Sequence, residues 1–123
     1  MVPSEAAEHP EQQRLLTRIR AHLERRGETA PVREKAMFGV RALMLGEEML
    51  VSAHRDGSLL ARVRPADHEE LVGRPGAAQA EMGAGRSMGA GWISVQAEAL
   101  EDEAELAHWL DAALLRHRES AGG

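Results

Sequence analysis

Six histidines, several serines, one glycine-rich stretch and fourteen arginines are the residues of this 123-residue chain equipped to do chemistry. The histidines are His9, His22, His54, His68, His108 and His117, and no two stand four apart, as a helical pair of zinc ligands would. With no cysteine in the chain, thiolate ligands, disulfides and thiol catalysis are excluded. His54 and His68, with Asp56 and Asp67 beside them, are the pairing that could meet in space, but solvated surface histidines are the expectation. Ser52, Ser58, Ser87 and Ser94 are read as hydroxyls of strands and turns, none of them expected to sit in a Gly-x-Ser-x-Gly elbow or a Ser-x-x-Lys pair. Gly83 to Gly91 has a superficial likeness to a phosphate loop. It lacks a Gly-Lys-Ser/Thr end and a following helix, so a glycine-rich hairpin bend is expected.

The arginines are more informative. Arg62 and Arg64 alternate out of phase with the apolar Leu59, Ala61 and Val63, so they should share the other face of their strand with Leu60. Trp92 can join them from the last strand. Arg41 and Arg86 complete a candidate binding face of Arg41, Leu60, Arg62, Arg64, Arg86 and Trp92. Such a surface suits an anion, a peptide or a second subunit, because arginine and aromatic residues anchor interfaces. The competing expectation is that the arginines only keep a wet face soluble. Five methionines, Met37, Met44, Met49, Met82 and Met88, fall inside strand patterns and are expected to fill the core rather than sense oxidants.

The elements that must position these residues start from Ala36 to Arg64, which reads as three strands with turns at Gly46-Glu47-Glu48 and Asp56-Gly57. Met49, Val51 and Ala53 should point to one face, with Leu59, Ala61 and Val63. Ahead of them Pro10 opens a helix over roughly 10 to 26 with an apolar stripe of Leu15, Leu16, Ile19 and Leu23. Val32 to Lys35 leads into the strands. Asp67 with Glu70 has capping-box spacing for a short helix ending at Gly73. Two more strands are expected, one near Ala80 to Met82 and one at Trp92 to Gln96. Asp102 then opens a last helix with the stripe Leu106, Trp109, Leu110, Ala113 and Leu114, ending near 116 to 118. The expected fold is α+β, with a single antiparallel sheet of about five strands and helices on one face. One domain over 10–118 is expected, with flexible ends at 1–9 and 119–123.

Phe38, Trp92 and Trp109 are the only aromatic residues, so the core must be aliphatic. The net charge of −5 is unevenly placed. Residues 1–31 and 32–96 each balance to zero, and 97–123 carries seven acids against Arg116 and Arg118. No segment is strongly basic, so direct binding of nucleic acid is not expected. No apolar run is long enough for a membrane helix, and the first residues lack the pattern of a secretory signal. A cytoplasmic protein is expected.

Met37-Phe38-Gly39, the Gly-Glu-Glu turn with Met49-Leu50, Gly85-Arg86-Ser87-Met88, Trp92 to Val95, and Leu100-Glu101-Asp102 through Trp109 form an ordered set. Over roughly residues 33 to 114 that set resembles the N-terminal domain of the TfoX/Sxy competence regulators. The resemblance implies an α-β3-α-β2-α layout similar to secretion-chaperone folds. The chain departs from the family at Val40, where a second glycine is usual, and at Ser87, where proline is common. The regulators' C-terminal, helix-hairpin-helix domain has no counterpart in these residues. What carries over is therefore the domain, not competence regulation as a whole. A non-enzymatic regulatory or protein-binding module is expected, with no cofactor and with a partner protein or a weak homodimer. The alternatives are a small-ligand protein or enzyme using a cleft near 83–91, and a nucleic-acid-associated regulator.

Overall fold

A computed structural model of the chain describes residues 9–28, 31–37, 39–83 and 85–122. The elements are α1 (Pro10–Arg25), β1 (Val32–Met37), β2 (Val40–Leu45), β3 (Glu48–Ala53), β4 (Leu59–Arg62), α2 (His68–Val72), β5 (Ala77–Gln79), β6 (Trp92–Val95) and α3 (Glu103–Gly122). The strands form one antiparallel sheet of six, in the order β1-β2-β3-β4-β6-β5. The class is α+β, as the residue patterns predict.

The additional strand is β1. Val32 to Lys35 is no lead-in but most of an edge strand that pairs antiparallel with β2, and the expected first strand is thereby divided between β1 and β2. Phe38 itself lies outside the described residues. Gly39 adopts φ +80, which a residue with a Cβ takes only under strain. The strand expected near Ala80 to Met82 is displaced to Ala77–Gln79, and Glu81 makes only an isolated bridge with Ser87.

One face of the sheet carries the core. Leu43, Val51, Ala61 and Ile93 lie in register across β2, β3, β4 and β6, all fully buried. They pack under Leu15, Leu16, Ile19 and Leu23 of α1 and under Leu106, Trp109, Leu110, Ala113 and Leu114 of α3. Both helix stripes are therefore spent on the same sheet face. Met49 departs from the expected alternation. A register shift pairs Leu43 with Val51 but Met44 with Met49, so Leu50 is the extra residue of a bulge. Leu50 joins the core at 1% exposure, and Met49 goes to the opposite face with Met44.

Two helix starts differ from their expected caps. Asp67 makes no side-chain cap to α2, because its carboxylate is held by Arg64. Asp102 does cap α3, accepting the Ala104 N–H, but Glu105 turns away to Arg74 and no reciprocal box forms. α3 runs on past 118 to Gly122.

Candidate binding face

Register determines what the uncovered face displays, since directly paired residues share a side. Lys35, Ala42, Ser52, Leu60, Ser94 and Ala78 form one row across all six strands. Arg62 with Trp92, and Arg33 with Met44 and Met49, lie beside it. Both strand acids, Glu34 and Glu48, are paired with core-side residues Leu43 and Leu45, so they sit on the other face. The strand positions of the open face therefore hold Arg33, Lys35 and Arg62 and no acid.

Arg62 lies over the half-buried indole of Trp92, its guanidinium carbon 4.9 Å from the ring centroid, a cation–π arrangement. Burial and the like charge of Arg116 hold the Arg62 guanidinium below its ordinary value, with Glu48 opposing. No carboxylate among the described residues lies within ion-pair distance of Arg62, because Glu48 is occupied by Arg116 and Ser120. In the same face Ser52 is 1% exposed and its Oγ has no hydrogen-bond partner among the described residues.

Leu60, Arg62 and Trp92 are thus brought together as expected. Arg41 is not. It pairs with Ala53 on the core side and bridges to Glu34 at 3.6 Å. Arg64 is drawn off by Asp67 and by Glu119 of α3, whose carboxylates raise its already high pKa further. Arg86 is exposed in the hairpin that carries the glycines, away from the strand rows. Arg41 is placed by the register of β2, and Arg64, just past the end of β4, is steered by Asp67 close by in sequence and by Glu119 far along the chain.

The histidines find structural partners. His22 meets Asp111 at 2.8 Å, and His68 Nδ1 accepts the Gly91 N–H at 2.8 Å, which leaves its proton on Nε2. His117 stands 3.6 Å from Glu48. Among the described residues no three His, Asp or Glu side chains gather in a way that could hold a metal. Gly85-Arg86-Ser87-Met88-Gly89 does carry the Gly-x-Ser-x-Gly spacing of a nucleophile elbow, which reading the stretch as a bend passes over. Here Ser87 Oγ accepts the Gly89 N–H, and the chain continues into β6 instead of the helix an elbow requires. The spacing is met without the chemistry.

A depression of about 400 Å³ lies at the opposite end of the sheet, lined by Gly39, Val40, His54, Arg55 and Asp56. Its rear is fixed by Gln12 of α1, 2% exposed, which donates to the Gly39 carbonyl at 3.0 Å and the Ala53 carbonyl at 2.9 Å. Asp56 is held well ionised by the backbone N–H and hydroxyl of Ser58. The candidate cleft near 83–91 is not this depression.

Residues 24–116 match the family model of the TfoX N-terminal domain. The chain belongs to the TfoX N-terminal domain family. No curated protein matches it, and no solved structure does. In this TfoX N-terminal domain Met37 closes β1 and Gly39 opens the turn into β2, so that family motif serves a hairpin. Among the described residues no helix is long and apolar enough to cross a membrane.

Proposed function

We propose that this TfoX N-terminal domain is a non-enzymatic regulatory module that works by binding a partner protein on its open sheet face. Family membership supports the regulatory part of that reading. The observation that carries the binding part is Arg62 stacked on Trp92, with no carboxylate among the described residues in ion-pair range, on the sheet face opposite the helix-packed core. An aromatic ring and a guanidinium held together on an uncovered surface are the residue types that dominate protein interfaces. Trp109 is fully buried in the core, whereas Trp92 is only half-buried.

The test is affinity capture from the native lysate with four baits: wild type, Trp92→Ala, Arg62→Glu and Arg14→Glu. Arg14 lies exposed on α1 and supplies the same charge change away from the sheet. The expected result is a partner retained by wild type and Arg14→Glu and lost from both face variants. Retention by all four baits would overturn the reading.

A further inference from the structure

The open face has a chemical bias that says what kind of protein segment fits it. Given the binding role just proposed, on which this inference rests, charge selects the occupant. The whole chain is −5, yet this face displays Arg33, Lys35 and Arg62 and no acid at any described strand position. Glu103, Glu105 and Asp111, the acids of α3 that a second copy would have to offer, are already bound to Arg18, Arg74 and Arg26 of their own chain. Two copies packed face to face would set these cations against their equals, which is repulsive. Nucleic acid fits less well. Arg62 already occupies one face of the Trp92 ring, which leaves a base less of it to stack on, and the chain's net charge of −5 repels a polyanion.

We infer that the open face takes an acidic, extended segment of a partner protein, with carboxylates on Arg62, Lys35 and Arg33 and apolar side chains on Leu60, Met44 and Met49. Lys35 on β1 and Arg62 on β4 are three strand spacings apart, about 14 Å, which an extended chain covers in about four residues. A carboxylate on Arg62 would neutralise a partly desolvated cation that no acid among the described residues pairs with.

Trp92 is the reporter. Because Trp109 is fully buried, acrylamide-accessible emission comes from Trp92. Wild type is titrated with a glutamate-rich peptide of about ten residues, enough to cross the sheet at ~3.3 Å per residue, with a lysine-rich peptide of equal length and with single-stranded oligothymidine. The expected result is saturable protection of Trp92 by the glutamate peptide alone, weakening with salt. Arg62→Glu should lose about tenfold or more in affinity, and Arg14→Glu should leave it unchanged. Trp92→Phe, followed by anisotropy of a labelled peptide, keeps the ring packing and guards against a folding defect. Protection by oligothymidine in place of the peptide overturns the inference in favour of nucleic acid. A Trp92-dependent dimer in sedimentation equilibrium overturns it in favour of self-association. No protection by any probe, with a partner still captured through Trp92, overturns the acidic chemistry and leaves the binding face standing.

Discussion

Gln12 shows how one polar side chain can set the geometry of two turns. It sits on the buried stripe of α1 and spends both amide hydrogens on main-chain carbonyls, Gly39 after β1 and Ala53 at the end of β3. Its partners are 27 and 41 residues away, so nothing local announces the contact. Replacing it with alanine leaves two carbonyls without their donor, that of Ala53 in the buried interior, and an unsatisfied buried group is costly. Gln12→Ala should lower the unfolding free energy by about 1–3 kcal/mol, read from urea melts. A change within error of zero would show that water replaces the amide. Arg55 is placed against the same turn, since a Cβ built on Gly39 would stand 2.6 Å from its guanidinium. Gly39 therefore answers to φ +80 first and to this side chain second, because the end of a long arginine can move aside.

At the scale of elements, the bulge in β3 decides which hydrophobic residue the core receives. Strict alternation assigns Met49 to the interior and Leu50 to solvent, and the register shift reverses both. Leu50→Ala should then cost about 2–4 kcal/mol, as other large-to-small core changes do, whereas Met49→Ala should cost under about 1 kcal/mol. The two melts compared side by side test the register directly, and equal losses would refute it. The edge strand β1 is managed by charge. Antiparallel self-pairing centred on Glu34 would set Glu34 opposite Glu34 and Arg33 opposite Lys35. β1 thus discourages the addition of a second copy while remaining a regular strand on its paired side. Arg74 and Glu105 do comparable work between elements, joining the turn after α2 to the first turn of α3 by two bonds of 2.8 Å.

For the molecule as a whole, the acids lie on the helices, the turns and the core side of the sheet, and Arg33, Lys35 and Arg62 on the opposite sheet face. The acids are also where stability meets pH. Hydrogen bonds from Arg74 hold Glu105 below the usual carboxylate range, and bonds from Arg26 do the same for Asp111, assisted by His22. Ser120, with Arg116, Arg62 and His117 adding charge, lowers Glu48, and Arg64 lowers Asp67. A carboxylate with a depressed pKa binds fewer protons folded than unfolded. Its stabilising contribution is present above the unfolded value near 4, and is lost as pH falls through the folded value. The thermal midpoint should accordingly be flat from about pH 7 to 5 and fall steeply below about pH 4. Glu105→Gln should make that fall shallower when followed by circular dichroism. A midpoint that rises on acidification would contradict the paired state of these acids.

The three helices, the period-two strands, the aliphatic core and the α+β class were legible in the chain because each follows from local spacing: 3.6 for the stripes of α1 and α3, 2.0 for β3, β4 and β6. Leu60, Arg62 and Trp92 could be assigned to one face for the same reason, parity being a local property. What required the folded chain was everything set by partners far along it. β1 exists as a strand because β2 pairs with it, although its Arg-Glu-Lys run carries no apolar alternation. Arg64 left the candidate face in part because Glu119, 55 residues on, claims it, and Arg41 because the register of β2 pairs it with Ala53 on the core side. The Leu50 bulge is invisible in a strand whose residues are all strand-compatible, and is created by matching two hairpin registers at once. Spacing along the chain determines which side of a strand or helix a residue faces. Only the tertiary structure decides which charged group across the fold is near enough to hold it.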